Sequence, residues 1–291
     1  MTNIAVVNQI IPFSCVDGPG SRLVIFMQGC NYRCKNCHNP HTIGLCDSCG
    51  DCLPSCPTQA LSLITSNNKP QVIWNEALCT QCDLCLTVCP KQSSPKTQRY
   101  SVEQLLTLIR QQLQFLNGIT ISGGEASLQL PFIIKLFSAI KADKELAHLT
   151  CMLDSNGSLS NSGWQQLLPV LDGAMIDLKS WLQDTHRYIT GRDNHRVIDS
   201  IEFLASQGKL YEVRLLHIPG VSDFDSEVTA VASQLQALPK KVRIKLNAFQ
   251  HHGVTGAALN WPICSEAQIK QLATELCQRG VHNIVLPNSY L

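Results

Sequence analysis

The stretch Leu23-Val24-Ile25-Phe26-Met27-Gln28-Gly29-Cys30-Asn31-Tyr32-Arg33-Cys34-Lys35-Asn36-Cys37 decides the fold. Its opening apolar run is too short for a helix and reads as a buried strand, as in a parallel sheet. Gly29 and Cys30 begin the loop after it, and three cysteines at C-x3-C-x2-C spacing fill that loop. Three thiolates can hold a cubane iron–sulfur cluster and leave one iron without a protein ligand, an opening for substrate chemistry. A fourth ligand, His38 or His41, would instead close the site as zinc or as an ordinary cluster. A cofactor loop at the carboxyl end of the first parallel strand is the expected arrangement in a β/α barrel.

Outward from this loop, cysteine is the outlier of the composition: 15 among 291 residues. The start, MTNIAVVNQI, has no basic segment leading into a long apolar run, so neither export nor membrane insertion is expected. A cytoplasmic location keeps thiols reduced, which turns the reading from disulfides to metal. Cys46, Cys49, Cys52 and Cys56 form a C-x2-C-x2-C-x3-C run before Pro57, and Cys79, Cys82, Cys85 and Cys89 repeat it before Pro90. Each run matches the bacterial ferredoxin pattern, in which the fourth cysteine serves the other cluster. One [4Fe–4S] site is therefore expected on Cys46, Cys49, Cys52 and Cys89, and another on Cys79, Cys82, Cys85 and Cys56. Structural zinc is the competing assignment, but zinc sites usually separate their two pairs by a longer loop. Between the runs, Ala60–Ile64 and Val72–Trp74 read as a hairpin around the polar turn 66–70. Cys15, Cys151, Cys264 and Cys277 stand alone and are expected to be small buried hydrophobes.

Lys and Arg total 23 against 22 Asp and Glu, a formal charge of +1. No bulk field favours nucleic acid or an acidic membrane surface.

From about residue 99 helical and strand-like segments alternate, the pattern of an α/β fold with a parallel sheet. A helix is expected over 101–115 and a strand at Ile119-Thr120-Ile121, ending in Ser122-Gly123-Gly124-Glu125. Further strands are expected at 150–153, 174–178, 210–216, 242–246 and 283–286, with helices including 226–238 and 265–278. Polar residues gather where these strands end, where barrel enzymes keep their sites.

The segments Asp17-Gly18-Pro19-Gly20-Ser21-Arg22 and Gly29-Cys30-x3-Cys34-x2-Cys37-His38-Asn39-Pro40 resemble the radical S-adenosylmethionine (SAM) family. More narrowly, the chain resembles the activating enzymes of glycyl radical enzymes, and most of all the YjjW-type activases with an inserted two-cluster ferredoxin domain. That resemblance implies a partial (β/α)6 radical-SAM barrel made of residues 1–40 and 95–291. Residues 41–94 would be an inserted α+β ferredoxin-like domain. It also implies three [4Fe–4S] clusters, SAM, and an oxidoreductase that cleaves SAM reductively. The resulting 5′-deoxyadenosyl radical would take a hydrogen atom from a glycine of a partner glycyl radical enzyme, with catalysis at Cys30, Cys34 and Cys37. An external one-electron donor such as flavodoxin or ferredoxin is implied, as is anaerobic expression. A radical SAM enzyme acting on a small molecule or another peptide, and a ferredoxin-type electron carrier, are the alternatives. A carrier needs no Gly-Gly-Glu loop and no open iron.

By the same resemblance Gly123, Gly124 and Glu125 bind the SAM amino group, through carbonyls that glycine leaves accessible and the Glu125 carboxylate. Asp154 and Asp177 become SAM contacts or ligands of a monovalent cation, and Lys179 a partner of the methionine carboxylate. The alternative for these three is an exposed turn. Arg214 and the segment Ile218–Asp223 follow the family pattern of the fifth strand, in a binding role or as core and turn support. Two positions depart from the pattern. The usually aromatic neighbour of adenine is Asn36, with Tyr32 nearby in sequence, and a usual histidine after the sixth strand is Gln250, followed by His251.

Overall fold

The computed structural model describes residues 4–66 and 68–287, which fall into two compact units. One comprises the chain up to Asn31 together with Asn39–Leu149; the other comprises Tyr32–His38 and the chain from Thr150 onward. Asn67, in the expected hairpin turn, lies outside the described residues.

In the first unit β1 (Ile4–Ser14) pairs antiparallel with β2 (Arg22–Met27), the strand read from the opening stretch. Leu23, Val24, Ile25 and Met27 are all buried, so β2 is covered on both faces. The expected hairpin is present as β3 (Leu61–Ser66) and β4 (Lys69–Trp74), with Leu61 opposite Trp74. A single helical turn, α1 (Leu84–Thr87), follows. Residues 41–94 close on themselves at a neck: Ser94 N–H donates to the His41 carbonyl at 3.2 Å. The Gln28 side-chain amide donates to the carbonyls of His41 (2.8 Å) and Gly44 (2.7 Å) and ties this neck to the end of β2. The chain then returns through β5 (Gln98–Ser101), antiparallel to β1.

Helix α2 (Val102–Gln112) starts at a reciprocal capping box between Ser101 and Gln104 and buries Leu105 and Ile109. It leads into β6 (Gly118–Gly123), which lies parallel to β2 with Leu23 opposite Ile119 and Met27 opposite Gly123. Helix α3 (Leu130–Ala142) carries Pro131 in its first turn and buries Phe132, Ile133, Leu136, Phe137 and Ile140.

The second unit is a repeating parallel sheet with helical connections. Its strands are β7 (Thr150–Ser155), β8 (Gly173–Leu178), β9 (Leu210–His217), β10 (Arg243–Ala248) and β11 (Ile284–Val285), in that spatial order. Between them run α4 (Asn161–Leu167), α5 (Gln183–Thr190), α6 (His195–Ser206), α7 (Val228–Gln236) and α8 (Glu266–Gln278). No helix among the described residues is long and apolar enough to cross a membrane.

Of the four isolated cysteines, Cys151 and Cys264 are buried as expected, whereas Cys15 and Cys277 are exposed. The core-facing place on α8 is taken by Leu276, and one residue further round a helix of 3.6 residues per turn points Cys277 away. Cys15 follows the last residue of β1, where the chain has already left the sheet.

Candidate functional site

The Gly-Gly-Glu loop after β6 is packed onto the loop after β2, within the first unit. Gly124 N–H donates to the Met27 carbonyl (3.1 Å) and Glu125 N–H to the Gly29 carbonyl (2.7 Å). A Cβ on Gly123, whose φ is +127°, would lie 2.2 Å from the Met27 oxygen. One on Gly124 would lie 2.3 Å from the Gly29 oxygen. Both glycines are thus required by backbone contact alone, a reason the sequence did not reveal. Glu125 is buried, and its Oε1 accepts from Ser127 N–H at 3.0 Å. On the other side of the loop, Gly29 N–H and Cys30 N–H donate to the carbonyls of Thr42 (2.8 Å) and Ile43 (3.0 Å). Gln129 completes the brace. Its side chain exchanges hydrogen bonds with the backbone of Val6 at 3.0 and 2.9 Å, as a neighbouring strand would.

Arg22, the last residue of the Asp17–Arg22 segment, is fully buried. Its guanidinium donates to Thr120 Oγ1 (2.6 Å) and the Pro19 carbonyl (3.0 Å), and Thr120 donates in turn to the Asp17 carbonyl (2.6 Å). The motif is therefore wound around one satisfied buried cation.

The remainder of the cysteine loop, Tyr32–His38, belongs to the second unit. Arg33 N–H and Lys35 N–H donate to the carbonyls of Thr190 (3.0 Å) and Ile189 (2.9 Å) at the C-terminal end of α5. These carbonyls have no partner within the helix, so the loop supplies their donors. Lys35 Nζ sits 3.4 Å from the centre of the Tyr188 ring. Tyr32 is buried edge-on to His186, with ring centres 5.8 Å apart. Cys37 N–H donates to the Cys34 carbonyl at 3.2 Å. Asn36 is buried, and its Oδ1 has no hydrogen-bond partner among the described residues. Three half-buried thiols in one short loop, beside an amide oxygen left for a ligand, form a donor set that fits an iron–sulfur cluster and a bound small molecule.

The sheet of the second unit carries charge on one face. Asp177, Arg214 and Lys245 are in register across β8, β9 and β10, and Asp154, Met175, Glu212 and Arg243 form the row beside them. Arg214 donates to Asp154 Oδ1 (3.0 Å) and Glu212 Oε1 (2.7 Å), while Arg243 reaches Glu212 Oε2 at 3.2 Å. Lys179 donates to Asp177 Oδ2 at 2.7 Å. Burial works against the charge on Lys179, but Asp177, Cys34 and Cys37 outweigh it and hold the ammonium above its ordinary pKa. Burial likewise opposes ionised Asp177, and Lys179 and Arg214 prevail, so its carboxyl lies below the usual range. The two aspartates and Lys179 thus meet in a charge network rather than on an exposed turn. Lys245 is the cation of the face without an ion pair among the described residues.

Asp223 explains the Ile218–Asp223 segment. Its carboxylate accepts from Trp181 N–H (2.7 Å) and Leu182 N–H (2.8 Å), supporting the chain just after Lys179. Gln250 Nε2 donates to the Cys264 carbonyl at 3.2 Å, and His251 Nε2 to the Trp261 carbonyl at 2.8 Å. Glu212, Arg243 and Lys245 were missed in the sequence. Their signal was present as polar residues at alternate positions of two strands.

In the cysteine-rich stretch, Cys56, Cys79, Cys82 and Cys85 line one small cavity with Trp74 and Lys96. Cys46 and Cys49 act electrostatically on Cys52, which burial pushes up to about 11. Asp47 in turn acts on both Cys49 and Cys89 and forms an ion pair with Lys91 at 3.8 Å.

The chain belongs to the Radical SAM superfamily, whose family model matches residues 24–231. It is a radical SAM enzyme, and membership implies a [4Fe–4S] cluster and SAM. It is 27% identical over 255 residues to the pyruvate formate-lyase-activating enzyme of Streptococcus mutans, covering 85% of this chain and 78% of the relative. It is 27% identical over 250 residues to the isethionate sulfite-lyase activating enzyme of Desulfovibrio desulfuricans, covering 79% and 78%. Among solved structures, QueE from Escherichia coli matches with a TM-score of 0.55 over 98% of this chain and 95% of its own, at 15% identity. That last likeness concerns the fold.

Proposed function

We propose that the chain is an activating enzyme for a glycyl radical enzyme, of the YjjW type, with a partial (β/α)6 barrel and an inserted two-cluster ferredoxin-like domain over 41–94. The observation that carries this reading is the cysteine loop: C-x3-C-x2-C directly after a buried strand, with Gly-Gly-Glu packed on its start. The relatives point the same way, since both are named activating enzymes.

When bound, the cluster and SAM supply one-electron chemistry that yields a radical able to remove a hydrogen atom from a glycine Cα. The residues of the chain bind and orient. Cys30, Cys34 and Cys37 would hold the SAM cluster. Gly123, Gly124 and Glu125 would receive the amino group, and Lys179 the carboxylate, with Asp177 holding it in place. Asp154, fixed by Arg214, would lie toward the ribose or a monovalent cation, and Asn36 would replace the usual aromatic neighbour of adenine. The assignment of Cys46, Cys49, Cys52 and Cys89 to one auxiliary cluster, and of Cys56, Cys79, Cys82 and Cys85 to the other, is supported by the shared cavity of the second set. The His41–Ser94 neck supports the boundaries of the insert. These eight cysteines would hold two clusters suited to passing electrons from an external donor such as flavodoxin or ferredoxin, or to holding the insert together.

The test is anaerobic incubation with reductant, SAM and candidate glycyl radical enzymes. A glycyl doublet in the EPR spectrum of one partner, with 5′-deoxyadenosine formed alongside, is expected. SAM cleavage without a doublet in any partner would favour a small-molecule or peptide substrate instead.

A further inference from the structure

The turn His251-His252-Gly253 follows the sixth strand of the parallel pattern, where the sequence left its role unassigned. His252 and Gly253 meet His38, the residue after Cys37. His38 Nδ1–H donates to the His252 carbonyl at 2.7 Å. The His38 carbonyl, for its part, rests against Gly253. A Cβ at that position would lie 2.1 Å from the oxygen and 3.1 Å from its carbon. Gly253 also has a φ of +72°, in the left-handed region that favours glycine. Backbone meets backbone here, so no side-chain rotation could relieve the overlap. Phe249, fully buried, stands edge-on to the His38 ring at 6.2 Å and closes the third side.

We propose that the His252–Gly253 turn is a positioning clamp that fixes His38, and through it Cys37, for cluster and SAM binding. It acts at the C-terminal side of the loop, as the carbonyls of Ile189 and Thr190 act on Arg33 and Lys35 earlier in it. The inference rests on the proposed role of the cysteine loop. Neither His252 nor Gly253 is a catalytic residue, because neither contributes a side chain to the loop. Glycine is required because it is the residue that lets the two backbones touch.

The experiment compares Gly253→Ala with Cys34→Ala in the full-length chain after anaerobic reconstitution. Iron content and the SAM-dependent change in the EPR spectrum of the reduced protein are measured. Gly253→Ala should lose the same share of iron as Cys34→Ala, about a third if three cubanes are bound, and lose the SAM-dependent change. His38→Asn, which keeps an N–H near the Nδ1 position, should retain both, whereas His38→Leu should lose them. Iron and SAM response at wild-type levels in Gly253→Ala would overturn the clamp. Should Gly253→Ala fail to fold, equal behaviour of His38→Asn and His38→Leu would overturn it. Full iron in Cys34→Ala would refute the underlying assignment of the loop, and the clamp with it.

Discussion

The Tyr32–His38 loop and the 46–89 segment are both short, polar and dense in cysteine, yet the chain holds them by different means. The loop is gripped from outside, by the end of α5, by the Lys35–Tyr188 contact and by the 252–253 turn. The 46–89 segment has almost nothing to grip. Its buried apolar cluster is small, Cys52, Leu61 and Cys85 with Leu53, Cys56, Val72, Trp74 and Leu86 partly buried against it, while Leu63, Ile64, Leu78, Leu84 and Val88 are exposed. Among the described residues, six of the seven non-glycine positions with positive φ lie in or just beyond it: Ser48, Gln59, Asn68, Gln81, Asp83 and Gln92. Such backbone geometry persists when something else over-determines it. Two of the three residues at its centre are cysteines, so ligation to iron would supply the missing core. The contrast is between a loop held by the rest of the chain and a segment that the proposed clusters would hold together.

Metal removal should separate the two regions most sharply. After iron chelation under anaerobic conditions, amides across 46–89 should exchange with deuterium within minutes, while those of Arg33 and Lys35 stay protected. Equal loss of protection in both would break the contrast. Gly124→Ala attacks the brace at the start of the loop. With a Cβ 2.3 Å from the Gly29 oxygen, it should cost at least ~2 kcal/mol of stability in thermal melts. Iron at the proposed 46–89 clusters should be unchanged.

Glu212→Gln probes the charge network beside Asp177 and Lys179. It leaves Arg214 and Arg243 without the carboxylate they share, which should destabilise the protein by about 3 kcal/mol in urea melts.

The smallest effect expected is a pH dependence. Burial lowers the pKa of His217 and of His186, so the folded state resists protonation that the unfolded chain accepts. Stability should therefore be fully present above the unfolded value near 6.5 and fall as pH drops through it. His217→Gln should flatten that slope by at most about 1.4 kcal/mol per pH unit, read from urea midpoints between pH 5 and 7.

Much of this organisation was legible because it follows local periodicity. The run Leu23–Met27, the helix expected over 101–115 and the two ferredoxin-type cysteine runs each declare themselves within a short stretch. Strand β1 is less visible, since Asn8-Gln9 and Pro12 interrupt its apolar pattern and its pairing with β2 shifts register at both places. Hydrogen-bond partners far apart in sequence were illegible for a different reason. Gln129 bonds to Val6 across 123 positions, and His38 to His252 across 214. Nothing local marks either partner. The glycines teach the same lesson: nothing in the local sequence shows that Gly123, Gly124 and Gly253 are demanded by close backbone contact.

The most direct test of the account is 5′-deoxyadenosine formation from SAM by the dithionite-reduced protein, compared among wild type, Cys34→Ala and Cys49→Ala. Wild type and Cys49→Ala should form it, Cys49→Ala with a protease-sensitive 46–89 segment, and Cys34→Ala should form none. Product from Cys34→Ala, or none from wild type with its full iron content, would contradict the assignment of radical chemistry to the braced loop.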